Sequence, residues 1–517
     1  MRVLLVTGKA AFKIVEEHAS KSGVDFEVYV MPHEVAALIP IREIAKKLKA
    51  DNVKGFDFIL LPGLVSGDAS IVEKEVGIPT FKGPIHAADL PYVLSILGKV
   101  GLSKIEPACK LLSLNRKVDD EAELKAIEDE LRKRALFNVA DIPIARGSLR
   151  VVAEITFAPS KGVEGTVAEA SEFKMAGADI IDIGMIAGES KPDLAYKLTK
   201  AVKSKIGGAV SIDSLTPNEI VAAVNAGADL VISVDAGIID DLEGLNRDVA
   251  LVVTPTNVKK GYYPSTISEK IRGLEGVIEA ARSMGFRKII ADPILSPPLQ
   301  PSLLESLVTY YEFGRKHPDI PLMIGVGNVT ELMDVDSIGV NGLMAAIAAE
   351  LDASLILTTE ASNKTRGCVR ELCIAVKMAK LSRRRSKPMK DLSLNLLSIK
   401  EKRELTIPLE AIGAKEAIKA SPRISRALDP GGYIKITIDR KRGAILASHF
   451  KNGKVTCTIE GLKAHDIYSE LIWRGLITTL DHAAYVGKEL YKAELALKLG
   501  KSYIQDDELN FGFKGAN

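Results

Sequence analysis

Residues 178 to 214 read ADIIDIGMIAGESKPDLAYKLTKAVKSKIGGAVSIDS. Two short runs rich in Ile and Val, at residues 178–184 and 209–213, flank an amphipathic segment of helical length. Continuous apolar runs of this length are typical of buried parallel strands, and the segment between them predicts a crossover helix. Asp182 and Asp213 lie at the carboxyl ends of the two runs, where α/β folds carry their chemistry. The stretch therefore predicts a βαβ unit.

The same alternation of strand and helix patterns occurs eight times within residues 149–382. Besides the two strands above, the pattern predicts strands at residues 151–156, 228–235, 249–254, 288–292, 321–327 and 353–360. This number of units and this length predict a closed (β/α)8 barrel, and a doubly wound sheet of eight strands is the alternative. The barrel is favoured because acidic residues lie at or near the strand ends, namely Glu154, Asp182, Asp213, Asp235, Asp292 and Glu360.

The regions before the barrel have two different patterns. Residues 1–115 alternate strand and helix patterns and predict an N-terminal doubly wound α/β domain of the Rossmann or flavodoxin type. Two of its strand ends, Thr7-Gly8-Lys9 and Pro62–Asp68, are placed to receive a ligand or to serve only as turns. Residues 116–148 carry dense, alternating charge at helical spacing and predict a solvated linker helix.

The region after the barrel predicts a separate small domain. Residues 382–390 form a basic, Pro-containing run that predicts an exposed linker. Residues 383–517 as a whole predict an α+β accessory domain, with a hairpin that turns near Arg442-Gly443 and a long helical segment over residues 464–499.

Composition excludes several classes of function. Lys plus Arg (69) nearly balances Asp plus Glu (67) in 517 residues, so no global field favours nucleic acid or an anionic membrane as a partner. The four cysteines are scattered and form no CxxC pair, which argues against a disulfide framework and a zinc ribbon. We find no secretory leader and no long apolar segment. The chain is expected to be a soluble cytoplasmic protein.

Short motifs lie at the ends of predicted strands two, three and six. They are Ile181-Asp-Ile-Gly184 with Gly188-Glu-Ser-Lys-Pro192, then Ser211-Ile-Asp-Ser214, then Ala291-Asp-Pro293. In this order they resemble motifs of the pterin-binding family, which includes dihydropteroate synthases and methyltetrahydrofolate-dependent corrinoid methyltransferases. The C-terminal stretch Asp481–Leu490 resembles an accessory domain of archaeal proteins of methanopterin and corrinoid methyl-transfer metabolism. Together they resemble an archaeal dihydropteroate synthase-like protein.

The resemblance implies which residues hold the pterin. A pterin presents two adjacent N–H donors, and a buried carboxylate can accept from both. Asp292 is expected to accept from both donors. Asp213 and either Ser233 or Asp235 are expected to bind the ring nitrogens on the other side of the pterin. Ser233 and Asp235 are expected to share one face of their strand. Asn328 lies in Gly325-Val-Gly-Asn-Val-Thr330, which replaces the Ser-Arg-Lys of dihydropteroate synthases and resembles the methyltransferases' loop. Asp213, Asp292 and Asn328 are the expected catalytic residues.

The resemblance also implies which residues bind the pyrophosphate and a metal ion. Lys364 and Arg366, at a helix start after strand eight, and Lys191 are expected to bind the pyrophosphate. Glu154 is expected either to bind Mg²⁺ or to fill a layer of the barrel. Asp182 is expected to fix the loop at residues 188–192.

Three functions follow from the resemblance. The leading hypothesis is a transferase that condenses a pterin methyl pyrophosphate with an arylamine, in the biosynthesis of folate or methanopterin. The alternatives are a methyltransferase that uses methyl-tetrahydromethanopterin with a corrinoid protein as partner, and a pterin-binding protein without catalysis. A homodimer is expected by analogy. His482 is predicted to be either a ligand or acid/base group or a histidine packed at a domain boundary.

Overall fold

The computed structural model describes residues 1–111, 116–400, 420, 428–509 and 511; of residues 110, 111 and 116–119 it describes the backbone alone. The chain divides into two compact units, Met1–Ile399 and Lys400–Asn517. The four-part division made from the sequence stays a prediction.

The first unit begins with a four-stranded parallel sheet in the order β2-β1-β3-β4. Its strands are β1 (Arg2–Thr7), β2 (Asp25–Val30), β3 (Phe58–Leu61) and β4 (Thr80–Lys82), and its helices are α1 (Phe12–Ser20), α2 (Ile41–Ala50), α3 (Ser70–Val76), α4 (Leu90–Ile96) and α5 (Ala108–Leu111). Separate apolar clusters cover the two faces, one around Ile44 and Leu48 and one around Val93 and Leu94. The predicted doubly wound domain is confirmed.

The eight predicted barrel strands are present and lie within one or two residues of their predicted bounds. They are β7 (Arg150–Ile155), β8 (Ile180–Gly184), β9 (Ala209–Asp213), β10 (Leu230–Val234), β11 (Ala250–Val253), β12 (Ile289–Ala291), β13 (Met323–Gly325) and β14 (Leu355–Thr359). All neighbours pair in parallel in the order β12-β11-β10-β9-β8-β7-β14-β13. A parallel bridge from Ala291 to Leu322 joins the two ends of this order. The predicted (β/α)8 barrel is confirmed.

Helices surround the barrel, except that a short 3₁₀ turn at Ile239–Leu242 connects β10 to β11. The helices are α7 (Ala158–Ala176), α8 (Pro192–Lys205), α9 (Pro217–Asn225), α10 (Ile267–Ser283), α11 (Leu303–Lys316), α12 (Gly327–Thr330), α13 (Ser337–Glu350) and α14 (Cys368–Arg384). Because strand side chains alternate, each strand sends one set of apolar residues toward the helices and another into the barrel.

The interior of the barrel is packed at its amino-terminal end. Val152, Ile180, Leu230 and Met323, each from a different strand, belong to one buried apolar cluster. The hairpin β5 (Phe137–Val139) and β6 (Ile142–Ile144) contributes to the same cluster. The sequence did not predict this hairpin. Since this end of the barrel is filled, space for a ligand lies toward the carboxyl ends of the strands.

Each of the two segments predicted as linkers forms ion pairs with neighbouring elements of the first unit. Helix α6 (Arg116–Lys133) contributes Glu128, whose carboxylate accepts two hydrogen bonds of 2.8 Å from the buried Arg150. After α14, Lys387 is buried and donates to Asp89 of the N-terminal sheet domain at 2.9 Å. Within residues 382–390, Ser382 and Lys387 are buried and five of the other residues are exposed, so the linker stays a prediction.

The second unit is a three-stranded antiparallel sheet with two helices. Its elements are β15 (Tyr433–Asp439), β16 (Ala444–Lys451), β17 (Lys454–Gly461), α15 (Ala464–Trp473) and α16 (Leu480–Lys498). The hairpin at Arg442-Gly443 is confirmed. The continuous helical segment is wrong, because Gly475 has φ +67° and ends α15.

Among the described residues, no helix is both long and apolar enough to cross a membrane.

Candidate functional site

A cavity of about 510 Å³ opens at the carboxyl ends of the barrel strands. Five of the residues predicted for the site line it together: Glu154, Asp213, Ser233, Asp292 and Asn328. They come from five different strands or strand ends, so the closed barrel is what brings them together. Tyr263, a largely exposed aromatic side chain that the sequence analysis did not select, lies at the same cavity.

Asp292 is held in one orientation on the cavity wall. Its Oδ1 accepts from the Tyr310 hydroxyl at 2.5 Å and from the Ile294 amide at 2.8 Å. These bonds leave Oδ2 to accept from a ligand. Burial raises the pKa of Asp292 to about 6, although the bond from Tyr310 opposes that rise. The carboxyl is therefore ionised at neutral pH.

Tyr310 is a functional residue that sequence reasoning missed. It lies on the buried face of α11 and is fully buried. The apolar spacing of the helix predicts that Tyr310 is an ordinary core residue. A functional role is indicated only by the fact that a buried hydroxyl needs a hydrogen-bond partner. That partner is eighteen residues away in the chain, so no local pattern identifies it.

Asn328 is also held by the barrel. Its Nδ2 donates to the Leu295 carbonyl oxygen at 2.9 Å, in the loop that follows Asp292. With its amide nitrogen engaged, its Oδ1 is available to accept a hydrogen bond. Asn328 and Asp292 are thus positioned through one shared loop.

Three carboxyl groups cluster where β7, β8 and β9 end. Glu154, Asp182 and Asp213 each offer an oxygen, and these atoms lie within 4.8 Å of one another. One oxygen of Asp182 accepts from the Ser211 hydroxyl at 2.6 Å, whereas its Oδ2 is buried without a hydrogen-bond partner. A group this close favours bound protons or a cation, because three adjacent negative charges repel one another.

The pKa values of this cluster agree with that conclusion. Burial, followed by repulsion from Asp213, raises the pKa of Glu154 to about 8. Burial also raises the pKa of Asp182 and that of Asp213, and a hydrogen bond from Ser233 opposes the rise at Asp213. At neutral pH and without a cation, at least one of the three carboxyl groups carries a proton.

Glu219, not Asp182, fixes the loop at residues 188–192. Its buried carboxylate accepts from the Lys191 amide at 2.7 Å and from the Ser214 hydroxyl at 2.5 Å. Asp182 bonds to Ser211 on the neighbouring strand instead, so its expected contact with the loop is wrong. The exposed Lys191 side chain pairs with Glu189 at 2.5 Å and does not line the cavity.

Ser233 and Asp235 do not share a face. Ser233 has φ +65° at a register shift in β10, and this distortion turns its side chain into the cavity. Asp235 is buried outside the cavity, where it accepts from the Gly237 and Val258 amides at 2.7 Å each. Of the two candidates, Ser233 is the one at the site.

Lys364 and Arg366 lie outside the cavity. Lys364 donates to Asp334 at 3.0 Å, and Arg366 is exposed. The amides of this turn already bond to carboxylates, since Glu331 accepts from Ala361 at 2.9 Å and Glu360 accepts from Val369 at 3.1 Å. A phosphate at this helix start would compete with the carboxylates of Glu331 and Glu360 for these amides. The phosphate site there stays a prediction.

The cavity wall is acidic. Among the described residues that line it, four carry a carboxyl group, namely Glu154, Asp213, Asp292 and Glu331, and none is Lys, Arg or His. Such a wall suits hydrogen-bond donors and cations.

In the second unit, His482 bonds through Nδ1 to Asp429 at 2.7 Å. The same carboxylate accepts from the Thr478 amide at 2.8 Å, and both contacts help to hold the pKa of Asp429 well below its usual range. This geometry fits a histidine that orders the start of α16.

Two family models match the chain: "Pterin binding enzyme" over residues 158–363 and PterinBD-DUF4346 over residues 428–506. "Uncharacterized protein MJ0107" of Methanocaldococcus jannaschii is 39% identical and covers 98% of this chain and 99% of its own. A Ycf91-like protein of Nostoc sp. is 36% identical over 15% of this chain and 84% of its own. A solved structure of Yersinia pestis DHPS with a pterine-sulfa conjugate is 18% identical, with a TM-score of 0.38, and covers 47% of this chain and 97% of its own. Residues 158–363 match the pterin-binding enzyme family, and the chain belongs to one family with the Methanocaldococcus protein, which it matches over nearly its full length.

Proposed function

We propose that this protein is a dihydropteroate synthase-like transferase that condenses a pterin methyl pyrophosphate with an arylamine. The arylamine nitrogen forms the new C–N bond and loses a proton, while the C–O bond to pyrophosphate breaks. The observation that supports this most directly is the fixed Asp292 carboxylate, which leaves Oδ2 toward a cavity in the region that matches the pterin-binding enzyme family. In methanopterin biosynthesis the acceptor would be a ribosylated aminobenzene.

The pterin would be held from several sides. Asp292 would accept from the paired N–H donors of the aminopyrimidinone edge, a charge-assisted contact of the strong kind. Asp213, Ser233 and the Oδ1 atom of Asn328 would meet the ring nitrogens. Each of these groups is oriented before a ligand arrives. Most of the catalysis would therefore come from positioning and charge compensation.

A divalent cation such as Mg²⁺ fits the cluster of Glu154, Asp182 and Asp213. Mg²⁺ prefers carboxylate oxygen ligands, and the buried, unpartnered Oδ2 of Asp182 is an oxygen that a cation would satisfy. When bound, the ion would supply positive charge to the leaving pyrophosphate. The chain's own residues would hold it in place beside the cavity.

The second candidate is a methyltransferase that uses methyl-tetrahydromethanopterin and passes the methyl group to a corrinoid partner protein. Two observations favour it. The lining residues in the described part of the chain include four carboxyl groups and no cationic side chain, which is unfavourable for pyrophosphate alone. The stretch Gly325–Thr330 lacks the Ser-Arg-Lys of the synthases and resembles the loop of the methyltransferases, and the Oδ1 atom of its Asn328 is free to bond a pterin ring nitrogen.

A direct assay separates the two candidates. The purified protein is given a pterin methyl pyrophosphate, Mg²⁺ and an arylamine, and pyrophosphate release is measured with and without the amine. Release that depends on the amine supports the synthase and should vanish in Asp292→Asn. The control is Asp319→Asn, which alters an exposed acid paired with Arg282 at 3.0 Å. Pterin binding without release contradicts the synthase. Light scattering of the same sample tests the proposed homodimer.

A further inference from the structure

A second cavity, of about 330 Å³, lies in the N-terminal sheet domain, away from the barrel. It is lined by the residues that follow β1, β3 and β4, including Thr7, Leu64 and Ile85. In the strand order β2-β1-β3-β4, the chain continues from β1 to β2 on one side and then to β3 and β4 on the other side. Ligands of doubly wound sheets bind at the carboxyl edge of such a switch point. The cavity therefore has the location of a ligand site, and the proposed transferase does not use it.

The backbone around this cavity is unsuited to phosphate. Phosphate sites at switch points rely on free amides in the first loop and at the helix start. Here the amides of Lys9, Ala10 and Ala11 donate to the carbonyl oxygens of His33, Glu34 and Gly8, at 2.9 to 3.2 Å. The amides of Phe12 and Gly63 donate to Lys9 and Pro84 in the same way. These loops bond to one another instead of to an anion.

The walls of the cavity are largely hydrocarbon. Around its mouth, Ile14, Val35 and Leu64 are 54%, 51% and 55% exposed, although each is a large apolar side chain. Among the described lining residues Glu34 is the one charged group, and its carboxylate lies 3.4 Å from the Lys9 ammonium. Contiguous exposed apolar surface around a concavity indicates a binding site, because water solvates it poorly.

The loops that shape the cavity are fixed by the fold. A Cβ on Gly63 would lie 2.6 Å from the Pro84 backbone, and one on Gly83 would lie 2.8 Å from the Leu61 carbonyl oxygen. The buried Lys82 side chain donates to the carbonyl oxygen of Val65 and secures the loop after β3. The site is thus largely formed without a ligand.

We propose that this cavity binds an uncharged, largely apolar small molecule. The volume, near the lower end of the about 300–1,000 Å³ found for small-molecule pockets, admits a ligand of this size. The aliphatic walls favour hydrocarbon surface, and the internally bonded amides disfavour phosphate. This site is independent of the barrel cavity, and its ligand need not be a substrate.

The test uses N-phenyl-1-naphthylamine, an uncharged aromatic probe that fluoresces in apolar surroundings, with the full-length chain. Saturable binding of one probe per chain is expected. Ile14→Glu and Leu64→Glu each place a charge at the mouth and should weaken binding by about tenfold or more. Both side chains are more than half exposed, so folding should tolerate the changes. Circular dichroism and the melting temperature check this.

Leu38→Glu is the matched control, because Leu38 is an apolar residue of the same domain, 75% exposed, that does not line the cavity. The affinity of this variant for the probe should stay within about twofold of that of the unaltered chain. Asp292→Asn, in the barrel, should leave probe binding unchanged, whatever its effect on pterin. No saturable binding, or full binding in both mouth variants, overturns the proposal. Displacement of the probe by inorganic phosphate overturns the assignment to an uncharged ligand.

Discussion

The two cavities of the first unit occupy equivalent positions on two different sheets. Each lies at the carboxyl edge of parallel strands, yet the barrel cavity contains four carboxyl groups and the N-terminal cavity is mainly hydrocarbon. In the barrel, strands end in acids such as Asp213 and Asp292, whereas β1 and β3 lead into Thr7-Gly8 and Pro62-Gly63. Topology therefore places a concavity, and the residues just beyond the strand ends set its chemistry.

The largest effect that separates the two cavities is expected from Asp292→Asn. Replacing the charged acceptor should weaken pterin binding by about 100-fold, because a buried charge-assisted contact contributes about 2–5 kcal/mol. Fluorescence titration with a pterin measures it, with Asp319→Asn as the control. Unchanged pterin affinity would remove Asp292 from the site.

Asp182→Asn should abolish stabilisation by a divalent cation. If Mg²⁺ binds the three carboxyl groups, saturating Mg²⁺ should raise the melting temperature of the unaltered chain by a few degrees. The variant should lose this rise in melting temperature, because the substitution removes the negative charge of Asp182, whose Oδ2 has no hydrogen-bond partner. Differential scanning calorimetry measures it, with the exposed Glu189→Gln as control. An equal rise in Asp182→Asn would show that the cation binds elsewhere.

Tyr310→Phe should shift the pH dependence of pterin binding. Binding needs the ionised Asp292, so affinity should increase as pH rises through a midpoint near 6. The Tyr310 bond lowers the pKa of Asp292, and its removal should move the midpoint to higher pH by about half a unit or more. Titrations from pH 5 to pH 8 measure the midpoint.

The matched control for Tyr310→Phe is Tyr311→Phe, which alters an exposed neighbour on the same helix. At pH 8 the Tyr310 variant should bind almost as well as the unaltered chain. A uniform loss of affinity at every pH would contradict control through the pKa of Asp292.

We propose that the loop at residues 188–192 meets the arylamine acceptor, so Glu219→Gln should affect the acceptor more than the pterin. The buried Glu219 ties the Lys191 amide to Ser214, so the change loosens the loop at residues 188–192. We expect KM for the arylamine to rise about two- to fivefold while pterin affinity is kept. Steady-state kinetics with each substrate varied in turn measures the difference. An equal loss for both substrates would indicate a general structural defect.

The smallest effect is expected from Lys364→Ala. Its ammonium pairs with Asp334, whose side chain is 98% exposed, and the pair lies outside the cavity. Exposed ion pairs contribute about 0–1 kcal/mol, so kcat/KM and the melting temperature should stay near those of the unaltered chain. A loss of tenfold or more in kcat/KM would instead support Lys364 as a pyrophosphate ligand, and Lys316→Ala serves as the surface control.

The strands and most of the carboxylates were visible in the sequence because their signals are local. A buried parallel strand reads as a continuous apolar run, so all eight barrel strands were found, and an acid at the end of such a run is expected near the barrel mouth. Asp213, Asp292 and Glu154 follow from that rule. The hairpin of β5 and β6 carries no such run and was missed, although it packs against the barrel interior.

Contacts between distant segments were decided by the tertiary structure alone. Tyr310 bonds Asp292 from another element, and Glu219 reaches back 28 residues to Lys191. The choice between Ser233 and Asp235 depends on a register shift against β11 that no pattern within β10 encodes. The sequence thus determines which residues reach the barrel mouth, because strand periodicity is a property of neighbouring residues. Their orientation and charge state come from hydrogen bonds and burial, which exist only when the barrel has closed.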